Sequence, residues 1–191
     1  MHAWRHICVD MQRVFAEDTP WHVAWMENVA PQVIEMTSRH AERTIFTRFI
    51  PPMRPSAALG RWKDYYEKWW MMTGEHLPPR MLDLMPELAS FAPPALIFDK
   101  STYSPWIDGR LHAALQAQKV GALVMTGGET DVCVLATALN AIDIGYHVIL
   151  LRDALCSGAD ETYDASLKLL GDRFSVQMEL MTTEEFLSRH G

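Results

Sequence analysis

Cysteine is scarce: Cys8, Cys133 and Cys156 are the three thiols in 191 residues, and they lie far apart. An odd number without paired spacing indicates neither a disulfide framework nor a zinc knuckle, so each reads as a free thiol. Basic charge is also in short supply. Lys and Arg number 17 against 24 Asp and Glu, giving a net charge of −7, and no basic run forms a stripe that could track phosphates, which excludes nucleic acid as an expected partner. Long apolar runs are missing too. The opening Met1-His-Ala-Trp-Arg-His-Ile-Cys-Val-Asp10 is too short and too soon ended by Asp10 for a signal peptide or membrane span, so a cytoplasmic protein without membrane contact is expected. The eight histidines are scattered without ligand spacing, so no metal and no cofactor is expected.

What is present is an ordinary globular composition. Apolar residues make up 49% and charged residues 21% of the chain, enough to bury a full core in one domain over residues 1–191. Short apolar runs alternate with longer segments of helical period, and no repeat interrupts them. Strands are expected at Arg5–Val9, Thr44–Thr47, Ala95–Phe98, Ala122–Met125, His147–Leu151 and Ser175–Leu180, with helices near 24–41, 107–119, 131–144 and 161–173. A last helix opens at Thr182-Thr-Glu-Glu185, which has capping-box spacing. This alternation predicts an α/β fold: a three-layer α/β/α domain around a doubly wound, six-stranded, mostly parallel sheet.

An aromatic-rich helical insertion at about 53–90 breaks the rhythm. Trp62, Tyr65, Tyr66, Trp69 and Trp70 fall on one helical stripe. Such a stripe packs against the sheet or a neighbouring subunit, or else it walls a substrate pocket; the spacing leaves both open.

Ligands of open parallel sheets bind at the carboxyl ends of strands. There the chain places Asp10 after the first strand, Arg48 at the end of the second, Lys100 after the third, and Thr126-Gly-Gly-Glu-Thr-Asp-Val-Cys-Val134 after the fourth. The glycine pair has neither the dinucleotide-binding nor the Walker spacing. Cys133 falls at the first turn of a helix, where the dipole and backbone amides favour thiolate over thiol. Asp10 is the expected general base and acid, Lys100 the charge that supports both, and the amides of the glycine turn an oxyanion hole. Arg48 could fork onto a substrate carboxylate or form a structural salt bridge. Phe15, Trp62 and Trp106 are candidate apolar walls.

Taken with their neighbours, these residues resemble the isochorismatase-like cysteine hydrolases, a family that includes nicotinamidases, N-carbamoylsarcosine amidase, biuret hydrolase and ureidoacrylate amidohydrolase. The resemblance rests on VDMQRVF around Asp10, DKSTYSPW around Lys100, TGGETDVCVLATALNAIDIGYHVILLRDALCS around Cys133, and DETYDASLKLL beyond it. It implies an Asp10–Lys100–Cys133 triad, a thioester intermediate hydrolysed by water, a cis peptide at Gly128–Glu129, and an oxyanion hole from the amides of Glu129 and Cys133. It also implies a homodimer or homotetramer acting on a small molecule.

Two departures narrow the activity. Nicotinamidases resemble one another in an Asp-x-His pair after the second strand that binds a divalent cation, where this chain has Arg48-Phe-Ile-Pro and only His76 in the insertion. Isochorismatase itself lacks the nucleophilic cysteine. The expectation is therefore a metal-independent amidohydrolase cleaving a small amide, carbamoyl or ureido C–N bond. The alternatives are a nicotinamidase or isochorismatase-type hydrolase, a non-catalytic binding module of the same fold, and a thiol sensor. Cys8 and Cys156 read as structural, and the role of the Glu129 side chain is left open.

Overall fold

The computed structural model describes residues 3–190. Its strands are β1 (Ala3–Val9), β2 (Thr44–Phe49), β3 (Leu96–Lys100), β4 (Val120–Gly128), β5 (His147–Cys156) and β6 (Met178–Met181). They form a single sheet in the order β3-β2-β1-β4-β5-β6, and every pairing is parallel. The sheet is thus wholly rather than mostly parallel, as right-handed crossovers through helices require when no hairpin joins neighbouring strands.

Alternation along the strands makes the layers. Ile7 and Val9 of β1 and Leu123 and Met125 of β4 fall in one apolar cluster, while Cys8 and Val124 fall in the other, because successive side chains of a strand point to opposite faces. The helices are α1 (Arg13–Ala16), α2 (Met26–Arg39), α3 (Trp62–Lys68), α4 (Pro86–Ala89), α5 (Arg110–Ala117), α6 (Leu135–Asp143), α7 (Asp160–Arg173) and α8 (Thr183–His190). In α2 the buried residues are Met26, Val29, Ala30, Val33, Met36 and Thr37, an i, i+3, i+4, i+7 stripe that seals one face of the sheet. With α4 and α8 it packs on the Cys8 side, whereas α5, α6 and α7 cover the Ile7 side. At α8 the amide of Thr182 donates to Glu185 Oε2 at 2.7 Å and the Glu185 amide to Thr182 Oγ1 at 3.1 Å, the reciprocal pair that the sequence spacing predicts.

Two expected elements differ. The last strand begins at Met178 rather than Ser175, because the amides of Gln177 and Met178 both donate to Phe174 O at 2.9 Å and curl the preceding residues into a turn. The aromatic stripe also stops short: α3 ends at Lys68, leaving Trp69 at its C-cap and Trp70 exposed in the following turn. Tyr66 is buried, and Tyr65 and Trp62 pack against Trp21 and Tyr103 respectively. The stripe is satisfied in part within the chain.

The sheet order reverses between β1 and β4. From β1 the chain winds outward through β2 to β3, then returns to lay β4 on the other side of β1. Loops leaving adjacent strands in opposite directions open a crevice at such a switch point.

Candidate active site

Asp10 follows β1 at this switch point with φ 51°, a left-handed conformation that aspartate tolerates better than most residues. The turn it makes is closed by the Gln12 amide donating to Asp10 O at 2.8 Å. Beside it Val9 is in register with Gly127 of β4. Gly127 has φ 102°, and a Cβ there would meet Val9 O at 2.1 Å, so only glycine lets the two backbones approach this closely.

After β4 the chain turns sharply. The Gly128–Glu129 peptide is cis, and the Val134 amide donates to Glu129 O at 3.0 Å, a five-residue span that makes Thr130–Val134 a π-helical turn leading into α6. Thr130 Oγ1 donates to Cys156 O at 3.0 Å, Ser157 Oγ to Asp131 Oδ1 at 2.8 Å, and Thr137 Oγ1 to Cys133 O at 2.6 Å. These bonds fasten the elbow to the end of β5 and to its own helix, and they fix the Cys133 thiol in place.

Lys100 closes the arrangement from the end of β3. Its Nζ donates to Asp10 Oδ2 at 2.7 Å and to Thr102 O at 3.0 Å, and the two side chains are 3% and 1% exposed. Thr47 of β2 donates from Oγ1 to Asp10 Oδ1 at 2.6 Å. Cys133 is 8% exposed, and the charges of Asp10 and Lys100 both act on its thiol. The structure therefore gathers Asp10, Lys100 and Cys133 from three strand ends into one buried cluster.

The electrostatics correct one expectation. Burial pushes the Cys133 thiol well above the usual cysteine range, the Asp10 charge pushes the same way, and Lys100 opposes them. Burial pulls the Lys100 ammonium down, but Asp10 and Cys133 together outweigh it and hold it above its ordinary value. That direction runs against the preference for thiolate that the helix start suggested, because desolvation is the largest influence on the group. Burial also pushes Cys8 and Cys156 up to about 12, so both are protonated, enclosed thiols.

Cys133 opens on a cavity of about 280 Å³ lined with Phe15, Trp21, Phe49, Tyr65, Tyr103 and Glu129. Of the four expected contacts, Phe15 is on this wall. Trp62 lines a neighbouring cleft of about 510 Å³ that includes Lys100 but not Cys133. Trp106 lies behind the site in the core, its Nε1 donating to Thr137 O at 2.9 Å. Arg48 is turned away: it forks onto Asp99 at 2.7 and 2.8 Å and reaches Asp83 at 3.5 Å. Register explains the difference, since Arg48 lies directly opposite Asp99 across β2 and β3, and opposite charges at such positions pair.

Sequence reading missed Gln12, Thr47, Trp21 and Tyr103. Gln12 is fully buried and works as a staple, its Nε2 donating to Phe49 O at 3.2 Å and Leu82 O at 2.9 Å while its Oε1 accepts from the Phe49 amide at 2.6 Å. The available signal was a polar side chain within or just beyond an apolar run, Thr47 in β2 and Gln12 shortly after β1. The divalent-cation site of nicotinamidases finds no matching donors. Ile50 and Pro51 follow Phe49, His76 is held by Thr73 at 3.1 Å, and among the described residues no three His, Cys, Asp or Glu side chains converge.

Residues 6–185 match the isochorismatase domain, and the chain belongs to that family. A cysteine hydrolase from Pseudomonas syringae pv. phaseolicola 1448A superposes with a TM-score of 0.83 at 25% identity, covering 97% of this chain and 91% of that one. N-carbamoylsarcosine amidase from Thermoplasma acidophilum shares the fold, with a TM-score of 0.72, 19% identity and coverage of 95% and 97%. An uncharacterized isochorismatase family protein of Bacillus subtilis (strain 168), PncA, is 25% identical over 132 residues, 69% of this chain and 64% of that protein. The chain thus spans just under two thirds of the length of this curated relative.

Proposed function

We propose that the protein is a metal-independent cysteine amidohydrolase that cleaves the C–N bond of a small amide, carbamoyl or ureido compound. The observation that carries this reading is the buried cluster of Asp10 and Lys100, 2.7 Å apart, against a thiol that opens on a cavity. The names of the Pseudomonas and Thermoplasma proteins, a cysteine hydrolase and an N-carbamoyl amidase, support it.

In this mechanism Cys133 Sγ attacks the substrate carbonyl carbon while its proton passes to Asp10, so the thiolate forms only as the C–S bond does. The carbonyl oxygen becomes an oxyanion that the backbone N–H groups of Glu129 and Cys133 receive. Collapse of the tetrahedral intermediate breaks the C–N bond, and Asp10 returns the proton to the departing ammonia or amine. A water then attacks the thioester, giving one proton to Asp10, and the carboxylic acid leaves as that proton returns to sulfur. Lys100 stays charged throughout and keeps Asp10 oriented, with Thr47 holding the other carboxylate oxygen.

A panel of amides, carbamoyl amino acids and ureas, read by release of ammonia or amine, tests the reading together with intact-protein mass spectrometry after rapid acid quench. The expected result is turnover of at least one member and an acyl adduct on Cys133, both lost in Cys133→Ala. Turnover that survives in Cys133→Ala refutes the nucleophile.

A further inference from the structure

The cavity beside Cys133 is lined mainly by rings. Its walls carry the rings of Phe15, Trp21, Phe49, Tyr65 and Tyr103, its one acidic residue is Glu129 and its one imidazole is His22; no Lys or Arg lines it. Phe15 and Trp21 stack at 6.1 Å between centroids, and Phe49 and Tyr103 at 6.3 Å. Two cations at neighbouring strand ends are committed elsewhere, Lys100 to Asp10 and Arg48 to Asp99.

Glu129 has no such commitment. One oxygen accepts the Gly158 amide at 3.2 Å, a long bond for a carboxylate, and no lysine or arginine among the described residues pairs with it. Burial holds its carboxyl above the usual range, and the like charge of Asp131 adds to this. A half-buried carboxylate beside a like charge is a destabilising feature unless something supplies the opposite charge. Aromatic rings beside a carboxylate are a setting in which a cation can be held. The net charge of −7 draws cations toward the protein as a whole and repels anions.

We propose that Glu129 and its aromatic wall form a cation subsite, so that the protein selects small amides carrying an ammonium or quaternary ammonium group and discriminates against amides carrying a carboxylate. This rests on the amidohydrolase reading for the position of the scissile bond, and it assigns to the Glu129 side chain a specificity role separate from the one its backbone amide plays. A cavity of about 280 Å³ restricts the substrate to a handful of heavy atoms beyond the amide.

Three amides of matched size separate the possibilities: trimethylammonioacetamide, its uncharged isostere tert-butylacetamide, and the anionic succinamate. Binding is measured by calorimetry in a Cys133→Ala background, so that it does not depend on turnover. The cationic amide is expected to bind at least about tenfold more tightly than its isostere, with succinamate weakest, and Glu129→Gln in the same background is expected to reduce the cation-to-isostere ratio about tenfold. Because the ratio is taken within each variant, a general loosening of the elbow cancels. A Glu129 that merely tethers the Gly158 loop leaves the ratio unmoved, and that result, or equal binding of cation and isostere, overturns the inference. The amidohydrolase reading fails separately: a cation-selective protein that releases no ammonia from any of the three and forms no Cys133 adduct keeps the subsite and loses the chemistry.

Discussion

The Asp10–Lys100 pair should behave as a buried charge pair, and removing either partner has a calculable consequence. Its side chains are 1% and 3% exposed and 2.7 Å apart, so neither charge can be rescued by water when its partner goes. Lys100→Met keeps the length of the side chain and deletes the charge, leaving Asp10 with only the Thr47 hydroxyl. Asp10→Asn leaves the ammonium with only neutral acceptors, the amide oxygen of the new side chain and Thr102 O. Stranding a buried charge destabilises by about 3–5 kcal/mol, a large part of the ~5–15 kcal/mol that holds a domain of this kind together. In a protein of this length that corresponds to a fall in Tm of roughly 10 °C. The double variant strands no charge, so its loss should be smaller than the sum of the two single losses by about 3 kcal/mol. Urea melts of the four proteins, with the fold checked by circular dichroism, give this coupling directly. Turnover should fall by at least about 100-fold in all three variants, because each either removes Asp10 or deletes the ammonium that orients it. Single losses below about 1 kcal/mol that add in the double variant would mean a solvated pair, and would refute the premise that burial forces Asp10 and Lys100 to act as a unit.

Two further outcomes follow from groups outside the triad. Arg48→Ala breaks a fork onto Asp99 that is partly exposed, so stability should fall by less than about 1 kcal/mol and KM for the preferred amide should hold within threefold; a KM more than tenfold higher would restore Arg48 to the substrate. His6 is wholly buried between Thr44 Oγ1 and Thr126 Oγ1 at 2.9 and 2.8 Å, and burial pulls it down to about 3. The unfolded chain takes up that proton near its ordinary value of 6.5 and the folded protein does not. His6 therefore costs nothing above pH 6.5 and destabilises by about 1.4 kcal/mol per pH unit as the pH falls from there toward 3. Urea melts at pH 7 and pH 4.5 should show this loss, and His6→Gln should remove about 2–3 kcal/mol of the difference; an unchanged pH dependence in the variant contradicts it.

How much of this was legible depended on whether the signal was local. Asp10 and Lys100 could be read because each ends an apolar run, and Cys133 because it follows the turn after one; a parallel sheet brings the ends of its strands to one edge whatever its exact register. Arg48 ends a run as well, yet it belongs to the other face of β2, and the parity that separates it from Thr47 and Phe49 was already in the sequence. What alternation cannot supply is the partner, since Asp99 lies opposite Arg48 only once register is known. The pocket was less legible still: Trp21, Phe49, Tyr65 and Tyr103 come from four separate segments, and no spacing rule links them. Glu129 is the clearest case. In the sequence it is a charged residue after two glycines, a pattern that most often marks a solvated turn. Its half-burial beside Cys133 follows from Gly127, whose missing side chain lets β4 close on Val9, and from the bonds of Thr130 and Ser157 that draw the turn onto β5. The same contacts that position Cys133 thus bring Glu129 to the wall of its cavity, so the proposed nucleophile and the proposed cation subsite share one turn of backbone.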